Sequence, residues 1–225
     1  MKHKNSHLLV GYWSRLRHGR AVPEQTDIDP RAIKRMLPYV FILEADNPAR
    51  PIYRLAGTAL CERFGFELKG TGFLAHWEAQ SALTLSGLLR QALRLRQPIC
   101  LSSVGASAEC GMVELETVLA PITFGPGAPT RFLGMIQILS DASLLRGRPI
   151  AFQRLAASQL VQEDEPFSAN DRLPPPPAPP MLRSHPRAPH LRLVVSQDRP
   201  GAVAFEAETL LQNVMDAFGA EFTVS

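Results

Sequence analysis

The chain is short of cysteine, of charge and of long apolar runs, and each shortage removes a class of protein. Its 225 residues include three cysteines, Cys61, Cys100 and Cys110, with no C-x-x-C spacing. An odd set so placed argues against a disulfide framework and a structural zinc site, and reduced thiols are expected. No apolar run reaches the eighteen residues of a membrane-spanning helix. The N-terminus, MKHKNSHLLVGYW, has a basic start but neither an apolar h-region nor a small-residue cleavage site, so a cytoplasmic protein with no membrane span is expected. Charged residues make up 20% of the chain and the net charge is only +3. Lys2, Lys4, Arg15, Arg17 and Arg20 cluster near the N-terminus, yet no helix-turn-helix, RNP-type or zinc-finger pattern accompanies them, and a solvated helix face is favoured over a nucleic-acid site. No G-x-S-x-G elbow, phosphate-binding loop, H-E-x-x-H helix or histidine-kinase motif occurs. The expectation is therefore not an enzyme, with no cofactor required by any motif and no metal site.

The most informative stretch is Ile52 to Trp77, which holds Gly57, Gly65, Gly70 and Gly72 and changes hydrophobic period partway along. Ile52 to Leu55 reads as a strand that ends at Gly57. Thr58 is placed to cap a short helix carrying Leu60, Cys61 and Phe64 on one side, with Gly65 after its end. Phe73, Leu74 and Trp77 are too apolar to be left in water, so the following loop must fold back over a core.

The rest of the chain supplies that core. Leu9, Tyr12, Trp13 and Leu16 recur at helical spacing within a helix from about Ser6 to His18. Asp29 and Pro30 have the chemistry of a helix start, Ile33, Met36 and Leu37 give that helix an apolar side, and Pro38 stops it. Tyr39 to Glu44 is apolar on both faces, as a strand covered twice would be. Leu85, Leu88, Leu89, Ala92 and Leu93 mark a helix of about five turns before Pro98. Three strands follow. Ile99 to Val104 comes first; the next alternates Val113, Leu115, Thr117 and Leu119 against Glu114 and Glu116, so its second face is expected to meet water. The last, Phe132 to Leu139, is again apolar on both faces.

Several of these pieces resemble one family. Asp29-Pro30, Leu37-Pro38, Tyr53-Arg54-Leu55-Ala56-Gly57-Thr58, Phe64-Gly65, Glu67-Leu68-Lys69-Gly70, Trp77, and the strand from Glu114 to Pro121 leading to Leu133-Gly134 are similar to the small PAS-type proteins of alphaproteobacteria, a divergent PAS family. The resemblance runs from about Leu8 to Leu139. It implies an α+β fold with a five-stranded antiparallel sheet in the order 2-1-5-4-3 and helices on one face. That order puts the two strands with two apolar faces at the centre, and it leaves an outer face for which the N-terminal stripe is the best cover. The expected organisation is an N-terminal amphipathic helix and linker (1–28), a PAS-like domain (29–145), and a Pro-rich tail (146–225).

Within that frame, Arg54, Phe64, Phe73, His76 and Trp77 are the candidate ligand-binding residues. His76 can be read as an axial haem ligand or a hydrogen-bond donor to a ligand, although an ordinary hydrogen bond is the favoured reading. Arg54 is expected to pair with Glu62 or Glu67 rather than hold a ligand carboxylate or phosphate. Cys61, in Leu-Cys-Glu, lacks the Asn-Cys-Arg-like context of the flavin-reactive relatives. Leu9, Tyr12, Trp13 and Leu16 are the candidate interface, with a flexible Gly19–Asp27 connection allowing two subunits to share their N-terminal helices as a homodimer. Pro174–Pro180 reads as a linker or disordered tail, followed by a possible strand Leu191–Val195 and by Leu210, Leu211, Val214, Met215 and Phe218 on one helical face. Taken together, a signalling regulator that contacts other signalling proteins is expected, with a small-ligand or cofactor sensor as the alternative and a nucleic-acid-binding protein as a third.

Overall fold

The computed structural model describes residues 1–109 and 111–161; Cys110, the proline run and the apolar segments after His190 lie outside them. Six strands form one antiparallel sheet: β1 (Val40–Glu44), β2 (Ile52–Ala56), β3 (Ile99–Ala106), β4 (Met112–Ile122), β5 (Arg131–Ile138) and β6 (Phe152–Leu160), in the order β2-β1-β5-β4-β3-β6. The expected five-strand order stands, and β6 extends it beside β3. This sixth strand was not expected, because an edge strand exposed on both faces shows no alternation: of FQRLAASQL only Gln153 is buried.

The central strands are apolar on both faces and so require two covers. On the inner face lie α2 (Thr58–Phe64), a 3-10 turn at Phe73–His76, and α3 (Ala79–Leu95), whose Leu85, Leu89 and Ala92 are buried. On the outer face lie α1 (Lys4–Leu16) and two 3-10 turns, Pro30–Ile33 and Leu37–Tyr39. These turns replace the single helix expected from Arg31 to Leu37. Asp29 does cap the first by accepting from the Arg31 amide, but Pro38 arrives too soon for an α-helix to propagate. Two fragments of the family resemblance meet here. A Cβ on Gly57 would sit 2.2 Å from the Leu37 carbonyl oxygen, so only glycine lets the β2–α2 corner close on Leu37-Pro38.

The segment from Gly70 to Ser81 closes both edges of the sheet. At β2, Gly70 donates to the Tyr53 carbonyl (2.7 Å), Tyr53 to Thr71 (3.0 Å) and Phe73 to Pro51 (2.8 Å). The chain then crosses the inner face to β6, where Glu78 donates to the Gln153 carbonyl (2.8 Å) and the Ser81 hydroxyl accepts from the Leu155 amide (3.0 Å). These bonds satisfy within the chain some of the edge groups that would otherwise template aggregation.

The outer cover corrects the interface assignment. Leu9 and Trp13 are fully buried and Tyr12 nearly so, in a cluster with Val118, Ala120, Leu133 and Met135 of the chain's own sheet; Leu16 is half-buried at its margin. The Trp13 indole N–H donates to the Pro121 carbonyl at 2.6 Å. Pro121 is tolerated because β3 ends opposite Leu119, so no neighbouring strand needs the missing amide. The connection expected to be flexible is tied down: Gln25 donates to Thr123, Thr123 donates to Pro23, and the Tyr12 hydroxyl accepts from the Asp29 amide at 2.7 Å. With its linker pinned to the end of β4, the helix lies across its own sheet, and its apolar stripe is not a free surface.

Glu116 is a second correction. It was expected to face water, but α1 begins directly above it. Its carboxylate accepts from the backbone amides of Lys2 (2.5 Å) and His3 (3.0 Å), and the side chain is 1% exposed. Alternation could not reveal this, since the partner is a helix N-terminus more than a hundred residues away. Burial alone would raise the Glu116 carboxyl, but the Ser6 side chain and the two amides hold it below the usual range. A folded-state pKa below the unfolded value gives stability that is full above the unfolded value of about 4.3 and lost as pH falls through the lower one. Glu116→Gln is therefore expected to cost about 1.5–3 kcal/mol at neutral pH, with the gap to wild type closing in acid. Thermal melts across pH check this, and a gap independent of pH would contradict it.

Candidate functional site

Between the inner face and its helices, where the alternative reading as a ligand sensor put a pocket, aromatic rings pack together. Phe41 of β1, Tyr53 of β2 and Phe73 of the 3-10 turn meet with centroids 5.4–6.2 Å apart, and Trp77 packs on Phe73 at 5.7 Å. The Phe41 ring occupies this position because its cross-strand neighbour is Gly134, where a Cβ would stand 2.3 Å from the ring. Phe64, Phe73 and Trp77 are thus brought into one core, each buried. Among the described residues the Tyr53 hydroxyl and the Trp77 indole nitrogen are buried there without hydrogen-bond partners, and burial pushes the Tyr53 phenol far up.

His76 lies at the margin of this core, between the rings of Phe64 (5.5 Å) and Phe66 (5.1 Å). Its Nε2 is buried with no partner among the described residues, and burial lowers its pKa, which favours the neutral ring. Rings of the chain itself flank it, which leaves the haem-ligand reading without geometric support. Arg54 is elsewhere, on the outer side of β2. It forks onto Glu44 at 2.7 and 2.8 Å, rather than onto Glu62 or Glu67, because β1 places Glu44 beside it. Glu44 also receives Arg131 (3.1 Å), whose guanidinium stacks on Phe124 and reaches Gln25. Glu67 is instead engaged by the Lys69 amide. Arg54 is part of a structural ion-pair row and does not join the four other candidates.

The cysteines are free thiols where described. Burial raises both, Cys100 to about 12 with Glu116 beside it, so neither is a ready nucleophile. Among the described residues no three His, Cys, Asp or Glu side chains gather as a metal site, and no helix is long and apolar enough to cross a membrane.

A profile of the PAS domain family matches residues 1–137 of the 225. The chain belongs to the PAS domain family. Solved structures similar to it include a LOV protein of Rhodobacter sphaeroides, 16% identical over 51% of this chain and 70% of that one, with a TM-score of 0.39. The light-state structure of the blue-light photoreceptor Aureochrome1 LOV is 11% identical over 51% and 91%, TM-score 0.37. An RNA-binding light-oxygen-voltage receptor is 20% identical over 48% and 32%, TM-score 0.34. No curated protein matches the chain.

The PAS sheet carries a surface that sequence reasoning missed. α1 covers β5 and β4, and Cys100 at one end of β3 joins its cluster, whereas Met112, Ala106 and Phe152 at the other end of β3 and its neighbours are outside that cluster. There the register aligns Met112, Ala106 and Phe152 across three strands, and alternation puts all three on the outer face. Met112 is 61% and Phe152 50% exposed. The adjoining row is Glu114, Val104 and Arg154, so opposite charges border the apolar one. No sequence signal could have joined these residues without knowledge of β6.

The unpartnered phenol in the PAS core yields a test. Removing a buried hydroxyl that makes no hydrogen bond removes a desolvation cost, so Tyr53→Phe is expected to leave stability unchanged or raise it by up to about 1 kcal/mol. Chemical denaturation checks this; a loss of more than about 1 kcal/mol would mean the hydroxyl is bonded in solution.

Proposed function

We propose that this PAS protein is a cytoplasmic signalling regulator without a catalytic step of its own, acting by contact with other signalling proteins or a second copy of itself. The observation that carries this reading is the exposed pair Met112 and Phe152, which flank the buried Ala106 across three strands and have a charged row beside them, on the part of the sheet that α1 leaves open. An apolar centre rimmed by charge is the anatomy of a protein interface, and large exposed apolar side chains side by side mark such sites. The packing of Phe41, Tyr53, Phe73 and Trp77 supports a contact mechanism over a bulky resident cofactor, since these rings occupy the centre of the domain. Intrachain engagement of basic N-terminal residues weighs against the nucleic-acid reading: Lys2 pairs with Glu114, Arg20 with Glu24 and Asp27, and Arg17 stacks on Trp13.

The test compares wild type with the Met112→Lys/Phe152→Lys double variant, each purified from its source under mild conditions and weighed by light scattering and native mass spectrometry. Wild type is expected to carry a stoichiometric protein partner or to dimerise, and the variant to lose that association while melting within a few degrees of wild type. A wild type that purifies alone as a monomer, or an association the variant retains, would contradict the proposal.

A further inference from the structure

The open end of the outer face is complementary to itself. β4 and β6 both run antiparallel to β3, one on each side, so they are parallel to each other and equally far from it. Two rows cross the three strands on this face: Met112, Ala106 and Phe152, then Glu114, Val104 and Arg154. In each row the flanking strands carry complementary groups, a thioether and an aromatic ring in the first, a carboxylate and a guanidinium in the second. The residues between them, Ala106 and Val104, are short.

The two charges do not satisfy each other within the chain. Two strand spacings, about 10 Å, lie between them. Glu114 and Arg154 are both exposed, and Arg154 pairs with no acid among the described residues. Glu114 holds Lys2 at 3.9 Å, with both side chains largely in solvent, so its carboxylate stays open to a second partner.

A two-fold axis lying in an interface along β3 would exchange β4 with β6 of a facing copy. Met112 then meets the partner's Phe152 in a sulfur-aromatic contact, and Glu114 meets the partner's Arg154; each pair occurs twice. Ala106 and Val104 lie on the axis, where their short side chains let the longer ones interdigitate. An axis across the strands would instead stack each residue on its own copy and leave both charges unopposed. α1 begins above Glu116, so the sheets meet over these two rows and diverge beyond them, as twisted sheets packed at about 30° do. These few side chains fall short of the roughly 20–30 residues a side of a standard interface, which suits a dimer that forms and dissociates with concentration.

We infer that this face is a homodimer contact, with Met112 on the partner's Phe152 and Glu114 on the partner's Arg154 about a two-fold along β3. The inference rests on the contact function proposed for the same face and names the occupant as a second copy of the chain. Sedimentation of the full chain from micromolar to millimolar concentration tests it. Wild type is expected to pass from monomer to dimer. Glu114→Arg and Arg154→Glu, each checked for folding by thermal melt, are each expected to weaken self-association roughly tenfold or more, because like charges then face each other at both ends of the contact. Mixed in equal amounts, the two variants are expected to regain wild-type affinity as a heterodimer, identified by its mass in native mass spectrometry, since every site then pairs an acid with a base. A wild type that stays monomeric throughout, single reversals that leave dimerisation unchanged, or a mixture no tighter than its components would overturn the inference. Should a different protein occupy the face and be lost from Met112→Lys/Phe152→Lys, while wild type does not self-associate, the inference fails and the contact function stands.

Discussion

The constraint on which this structure depends is that its central strands are apolar on both faces. Val40 and Ile42 point one way along β1 and Phe41 and Leu43 the other; Leu133 and Met135 oppose Phe132 and Ile136 on β5; all are buried. Burying a large apolar side chain is worth roughly 1.5–3 kcal/mol, so neither face can be left wet. The inner face is closed by α2, α3 and the glycine-punctuated crossing between them. The outer face is closed by α1, and this second closure determines what remains available to a partner.

α1 is held at three points that differ in chemistry. Trp13 supplies area and one hydrogen bond, to a carbonyl on a proline that no strand uses. Tyr12 binds the backbone at Asp29, fixing where the returning chain enters. Glu116 supplies a carboxylate at the positive end of the helix, where such a charge is most favourable. Because these anchors lie over β4 and β5, Met112 and Phe152, beyond the cluster that α1 forms, stay exposed as a consequence of the same packing. The contact function proposed for this PAS domain follows from the placement of its cover rather than from a motif.

Much of the fold was legible because period and punctuation agreed. Two-sided strands announced a two-sided sheet, and Gly57 and Gly65 marked ends that the structure keeps. What was not legible depends on long-range partners. β6 has almost no apolar pattern because its neighbours, not its own burial, make it a strand. Glu116 alternates like a solvent-facing residue and is covered by a helix at the opposite end of the domain. The candidate site was half legible: the aromatic candidates do cluster, but Arg54 belongs to an outer ion-pair row that only strand pairing could assign.

The central claim is that each chain closes its own sheet with its own N-terminal helix. Magnetisation transfer from the Trp13 indole proton to methyl groups of Val118 and Ile122 tests it most directly, measured in an equal mixture of isotope-labelled and unlabelled full-length protein. The account predicts cross-peaks within the labelled chain and none between labelled and unlabelled chains. Cross-peaks between chains would show that the helix closes its neighbour's sheet, and would contradict it.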